Sequence, residues 1–265
     1  PFMLPTQIPN TPTLLCGAVF PIHRLHPRSL SLEATKKKIH KMGSGGDVGI
    51  NARKPRVLCL HGFRTSAEIL KKQIYKWPES VLQKLDLVFV DAPFPCQGKS
   101  DVEGIFDPPY YEWFRFNKEF TEYTNFDECL KYIEDLMIEH GPFDGLLGFS
   151  QGAILSAGLP GLQEKGVALT KVPKVKFLII IAGAKFKAPQ VAEKAYSSPI
   201  SCPSLHFLGE TDFLRPYGAE LLESCVEPVV IKHPKGHTIP RIDDDSLKTV
   251  TGFIERIQKL CEAQD

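Results

Sequence analysis

From Pro55 onward, short apolar runs rich in β-branched residues alternate with longer amphipathic segments. The runs fall at 56–60, 86–90, 145–149, 175–181, 204–208 and 229–233. Between and after them, apolar residues recur at helical spacing over about 66–85, 126–140, 151–165, 216–224 and 244–261. A run such as Phe177-Leu178-Ile179-Ile180-Ile181 is apolar at consecutive positions, so both of its faces are expected to be buried. Strands of that kind alternating with helices predict a doubly wound α/β domain, a mostly parallel sheet with helices on both faces.

Residues 94–124 break the alternation. They have no sustained period and carry Phe94, Phe106, Tyr110, Tyr111, Trp113, Phe114, Phe116, Phe120 and Tyr123. Long irregular segments inside a compact domain usually serve as lids or binding loops. The expectation is a lid-like aromatic insertion that lines a pocket; the alternative is a surface excursion held down by its own rings. Residues 1–53 are irregular too, but of a different composition. They are rich in Pro, Ser, Thr and Gly, and hold seven Lys/Arg against Glu33 and Asp47. They are expected to be a disordered basic extension or a transit peptide, with Met42 as a possible start, and the folded domain is expected over 54–262.

Length and charge narrow the function classes. With 265 residues, 43% of them hydrophobic, the chain can build one substantial core. A net charge of +1 leaves no electrostatic footprint for nucleic acid. No apolar stretch approaches the 18 or so residues of a membrane span. Seven cysteines, without a C-x-x-C pair or metal-type Cys/His spacing, point to a reduced chain with no metal site. Cys59 lies within an apolar run and reads as a small core hydrophobe.

The chemistry centres on Gly148-Phe149-Ser150-Gln151-Gly152, a G-x-S-x-G pattern. An apolar strand runs into it and a helix-like segment follows, the strand–turn–helix context that a nucleophile elbow requires. Ser150 needs a base, and that base needs a carboxylate to orient it. In this arrangement the partners follow in the order Ser, acid, His. The loop after 204–208 offers Asp212, with Glu210 in reserve, and the loop after the last strand offers His237. His233, His206 and Asp144 lie in or beside strands and read as structural, and Asp243–Asp245 reads as a helix cap. The two oxyanion donors are expected to be the backbone N–H groups of Gln151 and, in the loop Leu60-His61-Gly62-Phe63, of Phe63. His61 there reads as a hydrogen-bonded scaffold residue.

These motifs together resemble the family of serine hydrolases within the α/β-hydrolase superfamily. The resemblance covers about 55–260. It rests on Leu58-Cys59-Leu60-His61-Gly62-Phe63, Asp91-Ala92-Pro93, Pro108-Pro109-Tyr110-Tyr111-Glu112-Trp113, the elbow, and the segments 209–212 and 233–237. It implies a cytosolic or nuclear carboxylesterase; the transit-peptide reading of 1–41 would instead place the chain in a plastid or mitochondrion. It implies no cofactor, a small-molecule ester as substrate, and the triad Ser150, Asp212 and His237. It also assigns Tyr110, Tyr111 and Trp113 to the substrate pocket. One departure is Lys235, where relatives have Gly before the Gly-His pair. Two rival readings use the same residues: a ligand receptor on a hydrolase scaffold, and a thioesterase or lysophospholipase with the same triad. Nothing in the pattern sets an oligomeric state.

Overall fold

The computed structural model describes residues 53–263; the expectations for 1–52 lie outside the described residues. Six strands form one wholly parallel sheet: β1 (Arg56–Leu60), β2 (Asp86–Val90), β7 (Gly145–Phe149), β8 (Phe177–Ile181), β9 (Ser204–Gly209) and β10 (Val229–His233). Between β2 and β7 lie four two-residue strands, β3 (Phe94–Pro95), β4 (Tyr111–Glu112), β5 (Arg115–Phe116) and β6 (Tyr123–Thr124), which form the antiparallel pairs β3–β4 and β5–β6. The helices are α1 (Ala67–Ile74), α2 (Glu79–Leu82), α3 (Phe126–His140), α4 (Gln151–Glu164), α5 (Pro189–Ala195), α6 (Arg215–Leu222) and α7 (Asp244–Glu262).

Sheet order is β10-β9-β8-β7-β1-β2, so the direction of winding reverses beside β1. Crevices outside the carboxyl ends of the strands at such a reversal are where open α/β sheets bind ligands. Every residue of β8 is buried, and its side chains divide by parity. Phe177, Ile179 and Ile181 pack with Leu70 and Ile74 of α1 and Phe253, Ile254 and Ile257 of α7. Leu178 and Ile180 join Leu130 and Ile133 of α3 and Leu155 and Leu159 of α4 in a second cluster. The α/β-hydrolase architecture with helices on both faces is therefore built from period-two alternation in strands that read as continuous apolar runs.

Three local expectations need correction. The single helix expected over 66–85 is two, because Pro78 lacks an N–H and ends the regular pattern. Trp77 turns inward at the break, and its indole N–H donates to Pro240 O at 2.9 Å. Helix α5 was not foreseen: seven residues beginning at a proline are too few to display a period. At the front of the domain, Arg53 belongs with the fold rather than the extension, since its guanidinium grips Asp144 at 2.7 and 3.0 Å. The Asp243 side chain accepts the Ser246 N–H at 2.8 Å and caps α7, as a run of aspartates before a helix suggests.

Asp144 ties the amino-terminal edge of the sheet. Besides Arg53, its carboxylate accepts the Arg56 backbone N–H at 2.8 Å and lies 3.2 Å from Lys176 Nζ. Its own N–H and C=O bridge Arg56 O and Lys176 N. Burial pushes its pKa upward, but the bonds from Arg53, Arg56 and Lys176 outweigh that and hold it down at about 2. A carboxyl held below its unfolded value contributes stability that is complete above about pH 4 and is lost as pH falls towards 2. Asp144→Asn should lower stability by about 2 kcal/mol at neutral pH and flatten the pH dependence of unfolding between about pH 4 and 2. Urea titrations at a series of pH values check this. Equal acid slopes in the two proteins would refute it.

Candidate functional site

The turn between β7 and α4 is shaped by glycines that admit no side chain. A Cβ on Gly148 would sit 2.2 Å from Gly152 O, and one on Gly152 would sit 2.1 Å from Leu60 O. With strand and helix backbones this close, the residue between them takes an unusual conformation. Ser150 has φ 53° and ψ −117°, a positive φ that costs a non-glycine residue about 1–3 kcal/mol. Its N–H donates to Ile181 O at 3.0 Å, and its carbonyl accepts from Ala153 and Ile154 as α4 begins. The hydroxyl stands at the carboxyl edge of the sheet, at the amino end of a helix.

His237 Nε2 lies 2.8 Å from Ser150 Oγ. On its other side, His237 Nδ1 lies 3.0 Å from both carboxylate oxygens of Asp212. A carboxylate only accepts, so Nδ1 carries a proton and Nε2 of the neutral ring faces the hydroxyl as an acceptor. Asp212 is buried and is steadied by the Leu214 N–H at 2.8 Å. The imidazole sits between Phe149 and Phe213, with centroids at 5.1 and 4.6 Å. The loops that carry Asp212 and His237 are pressed together at Gly209, where a Cβ would meet Lys235 O at 2.5 Å and Gly236 O at 2.7 Å. Lys235 is exposed and contributes to this contact only through its carbonyl, so the departure there leaves His237 within reach of Ser150. Glu210, the reserve acid, is exposed and does not bond His237; its N–H goes to His233 O. His233 is buried in β10, and burial lowers its pKa.

The loop after β1 lies against Ser150: a Cβ on Gly62 would be 3.4 Å from Ser150 Cβ. Neither the Phe63 nor the Gln151 backbone N–H donates to another group among the described residues. His61 is fully buried and bonded within this loop. Its Nε2 accepts the Ala92 N–H at 3.0 Å, which leaves Nδ1–H to donate to Gly62 O at 2.8 Å. Burial holds its pKa down at about 4, so the ring is a neutral strut with both nitrogens engaged.

The aromatic segment is fastened rather than loose. Trp113 was expected in the substrate pocket, but it has no exposed surface; its indole N–H donates to His61 O at 2.8 Å. Its ring is packed away behind the loop after β1 and is not free to meet a ligand. Gln151 works on the same segment from the elbow: its side chain accepts the Trp113 N–H at 3.2 Å and donates to Phe114 O at 2.7 Å. Tyr111 is half-buried, with its N–H on Thr65 O at 2.7 Å, and the half-buried Tyr110 donates its hydroxyl to Phe106 O at 2.5 Å.

Glu112 received no role from its sequence, although it is an acid set directly between Tyr111 and Trp113. It is completely buried and accepts from Arg64 Nε at 2.7 Å, Arg115 Nε at 2.9 Å and the Gln97 N–H at 3.1 Å. Arg64 follows Phe63 directly, has φ 54°, and also donates to Gln97 O and Lys99 O. Through Arg64 the buried carboxylate sets the backbone next to Phe63. Among the described residues no group of His, Cys, Asp and Glu is arranged to hold a metal ion, and no helix is long and apolar enough to cross a membrane.

A six-stranded parallel sheet with a Ser–His–Asp constellation at its carboxyl edge defines the α/β-hydrolase class. The family model described as serine hydrolase (FSH1) matches residues 50–248, and the chain belongs to that family of enzymes. It is 31% identical over 228 residues to the esterase AGAP003155 of Anopheles gambiae, covering 82% of this chain and 84% of that protein. It is 31% identical over 203 residues to the esterase OVCA2 of Xenopus tropicalis, covering 70% and 86%. Among solved structures, esterase PE8 superposes with a TM-score of 0.52 at 26% identity, covering 78% of this chain and 94% of that one.

Glu112→Gln keeps the shape but removes the charge that both arginines face. It should cost about 2–3 kcal/mol of stability and reduce kcat about tenfold by loosening the Phe63 backbone. Thermal unfolding and steady-state kinetics on an ester check this. A variant that loses stability but keeps full kcat at a temperature where it is folded would separate the clamp from the site.

Proposed function

We propose that this chain hydrolyses carboxylic esters through Ser150, His237 and Asp212 by way of an acyl-enzyme. The observation that carries the reading is the unbroken relay from buried carboxylate to imidazole to hydroxyl, at 3.0 and 2.8 Å, ending on a serine in a strained elbow. The serine hydrolase family and the relatives named esterase support the same class of reaction.

In this reading Ser150 Oγ attacks the ester carbonyl while His237 Nε2 takes its proton. Asp212 keeps the ring in the tautomer that leaves Nε2 free to accept, and stabilises the imidazolium that forms. Charge developing on the carbonyl oxygen is met by the Phe63 and Gln151 N–H groups, neither of which is committed elsewhere among the described residues. The imidazolium returns its proton to the leaving alcohol. A water then repeats the sequence on the acyl-enzyme, with the same nitrogen as base, and releases the acid. The loop that carries the Phe63 N–H and the turn that carries the Gln151 N–H are both tied to Trp113, the first through His61 O and the second through the Gln151 side chain.

Ser150→Ala should abolish p-nitrophenyl ester turnover by a factor of at least about 10^4 and prevent labelling by a fluorophosphonate. Asp212→Asn should lower kcat by about 10^4 with little change in KM. Unlabelled Ser150 in a folded wild-type protein would instead favour a receptor, and inert oxygen esters beside active acyl thioesters would move the reading to a thioesterase.

A further inference from the structure

A run of rings leads away from the oxyanion-side loop and ends in a cation. The Phe63 ring lies 4.9 Å from Phe116, and Phe116 lies 4.7 Å from Phe120. Lys187 Nζ lies 5.5 Å from the Phe120 ring centroid and 4.0 Å from that of Tyr217 on α6. Lys187 belongs to the segment that leaves the sheet after β8, whose last residue accepts the Ser150 N–H. It therefore stands on the same edge of the sheet as the nucleophile, between the 117–122 turn and the helix that follows Asp212.

Its backbone is held in place, and its ammonium forms no ion pair among the described residues. The Tyr123 hydroxyl accepts the N–H groups of both Lys187 and Ala188, at 2.8 and 3.3 Å. Lys187 is exposed, and no carboxylate among the described residues comes within 4.0 Å of its ammonium. Two aromatic faces attract the cation by about 0.5–1 kcal/mol each at exposed sites, but ring quadrupoles do not cancel its charge. An ammonium is a compact charge with three donors, able to take a carboxylate while still resting on a ring. Along the way to it, Phe116 is half-buried and Phe120 is 43% exposed, so apolar ring surface faces solvent.

We propose that Lys187 is a specificity-determining residue that receives a carboxylate at the end of an apolar arm of the ester, with the arm lying along Phe63, Phe116 and Phe120. The inference rests on Ser150 being the nucleophile. The carboxylate can reside on the acyl side, in a half-ester of a dicarboxylic acid, or on the alcohol side, in an ester of an ω-hydroxy acid. The site chemistry is the same for both, and one substrate panel distinguishes them.

The experiment compares kcat/KM on matched esters whose arm ends in a carboxylate or a methyl group, placed on either side of the ester bond, for the wild-type chain, Lys187→Met and Lys187→Glu. Lys187→Met is expected to lower kcat/KM for one carboxylate-tailed series about fivefold, through KM, while methyl-tailed esters stay within about twofold. Lys187→Glu should reverse the preference. Raising ionic strength from about 0.05 to about 0.5 M should erode it in the wild type, because the pair is exposed to screening. A purely structural lysine would lower thermal stability and affect both tails equally. That result, or wild-type turnover indifferent to the tail, overturns the inference and leaves the esterase reading standing. Absence of turnover on every ester, with Ser150 unlabelled by a fluorophosphonate, overturns both.

Discussion

Two main-chain segments touching with no side chain between them set the terms for the rest of the site. At Gly152 the first turn of α4 presses on the carbonyls of Leu60 and His61, and at Gly148 the end of β7 presses back on the same helix. The connection between them is left so short that Ser150 is forced to a positive φ. That strain lifts the hydroxyl off the sheet edge, and it also brings the loop after β1 alongside, because the helix rests on the carbonyls that open that loop. The Ser150 turn and the loop that carries Phe63 thus share one contact. A methyl group at either glycine would displace both.

Around this contact the two edges of the sheet carry different loads. The amino-terminal edge is held by charge, with Asp144 gathering Arg53, Lys176 and the Arg56 N–H far from any chemistry. The carboxyl-terminal edge is held by buried polar groups whose every bond fastens a loop. His61 and Glu112 are neither acid nor base in the reaction proposed. Each has both of its polar side-chain atoms bonded to backbone or guanidinium, which is the condition for a buried polar group to rigidify its surroundings rather than weaken them. The cost of burying Glu112 is offset only while both arginines remain, so the fold and the geometry beside Phe63 are coupled.

Much of this was legible before any coordinates. Strands buried on both faces announce themselves as apolar runs, and the order of Ser150, Asp212 and His237 follows the order of the loops that carry them. Asp212 could be told from Glu210 only by geometry, since both sit in one turn and only one faces the imidazole. Trp113 was misplaced for a different reason. Aromatic type signals that a side chain seeks apolar surroundings, not whether those surroundings are a pocket or a core, and its role is fixed by a bond to a carbonyl 52 residues away. Glu112 and Lys187 stayed silent because their partners, Arg64 for one and Phe120 and Tyr217 for the other, are brought to them by the fold and not by spacing along the chain.

The chain has two tryptophans, and each donates its indole N–H to a backbone carbonyl in a loop beside the site: Trp113 to His61 O before Phe63, and Trp77 to Pro240 O three residues beyond His237. They lie in different core clusters, on opposite faces of the sheet. All the intrinsic indole emission of the chain thus originates at the two fasteners of the loops that carry Phe63 and His237. Each indole is thus fastened to a different loop from within a different cluster, so the protein carries an optical reporter on each half of its site.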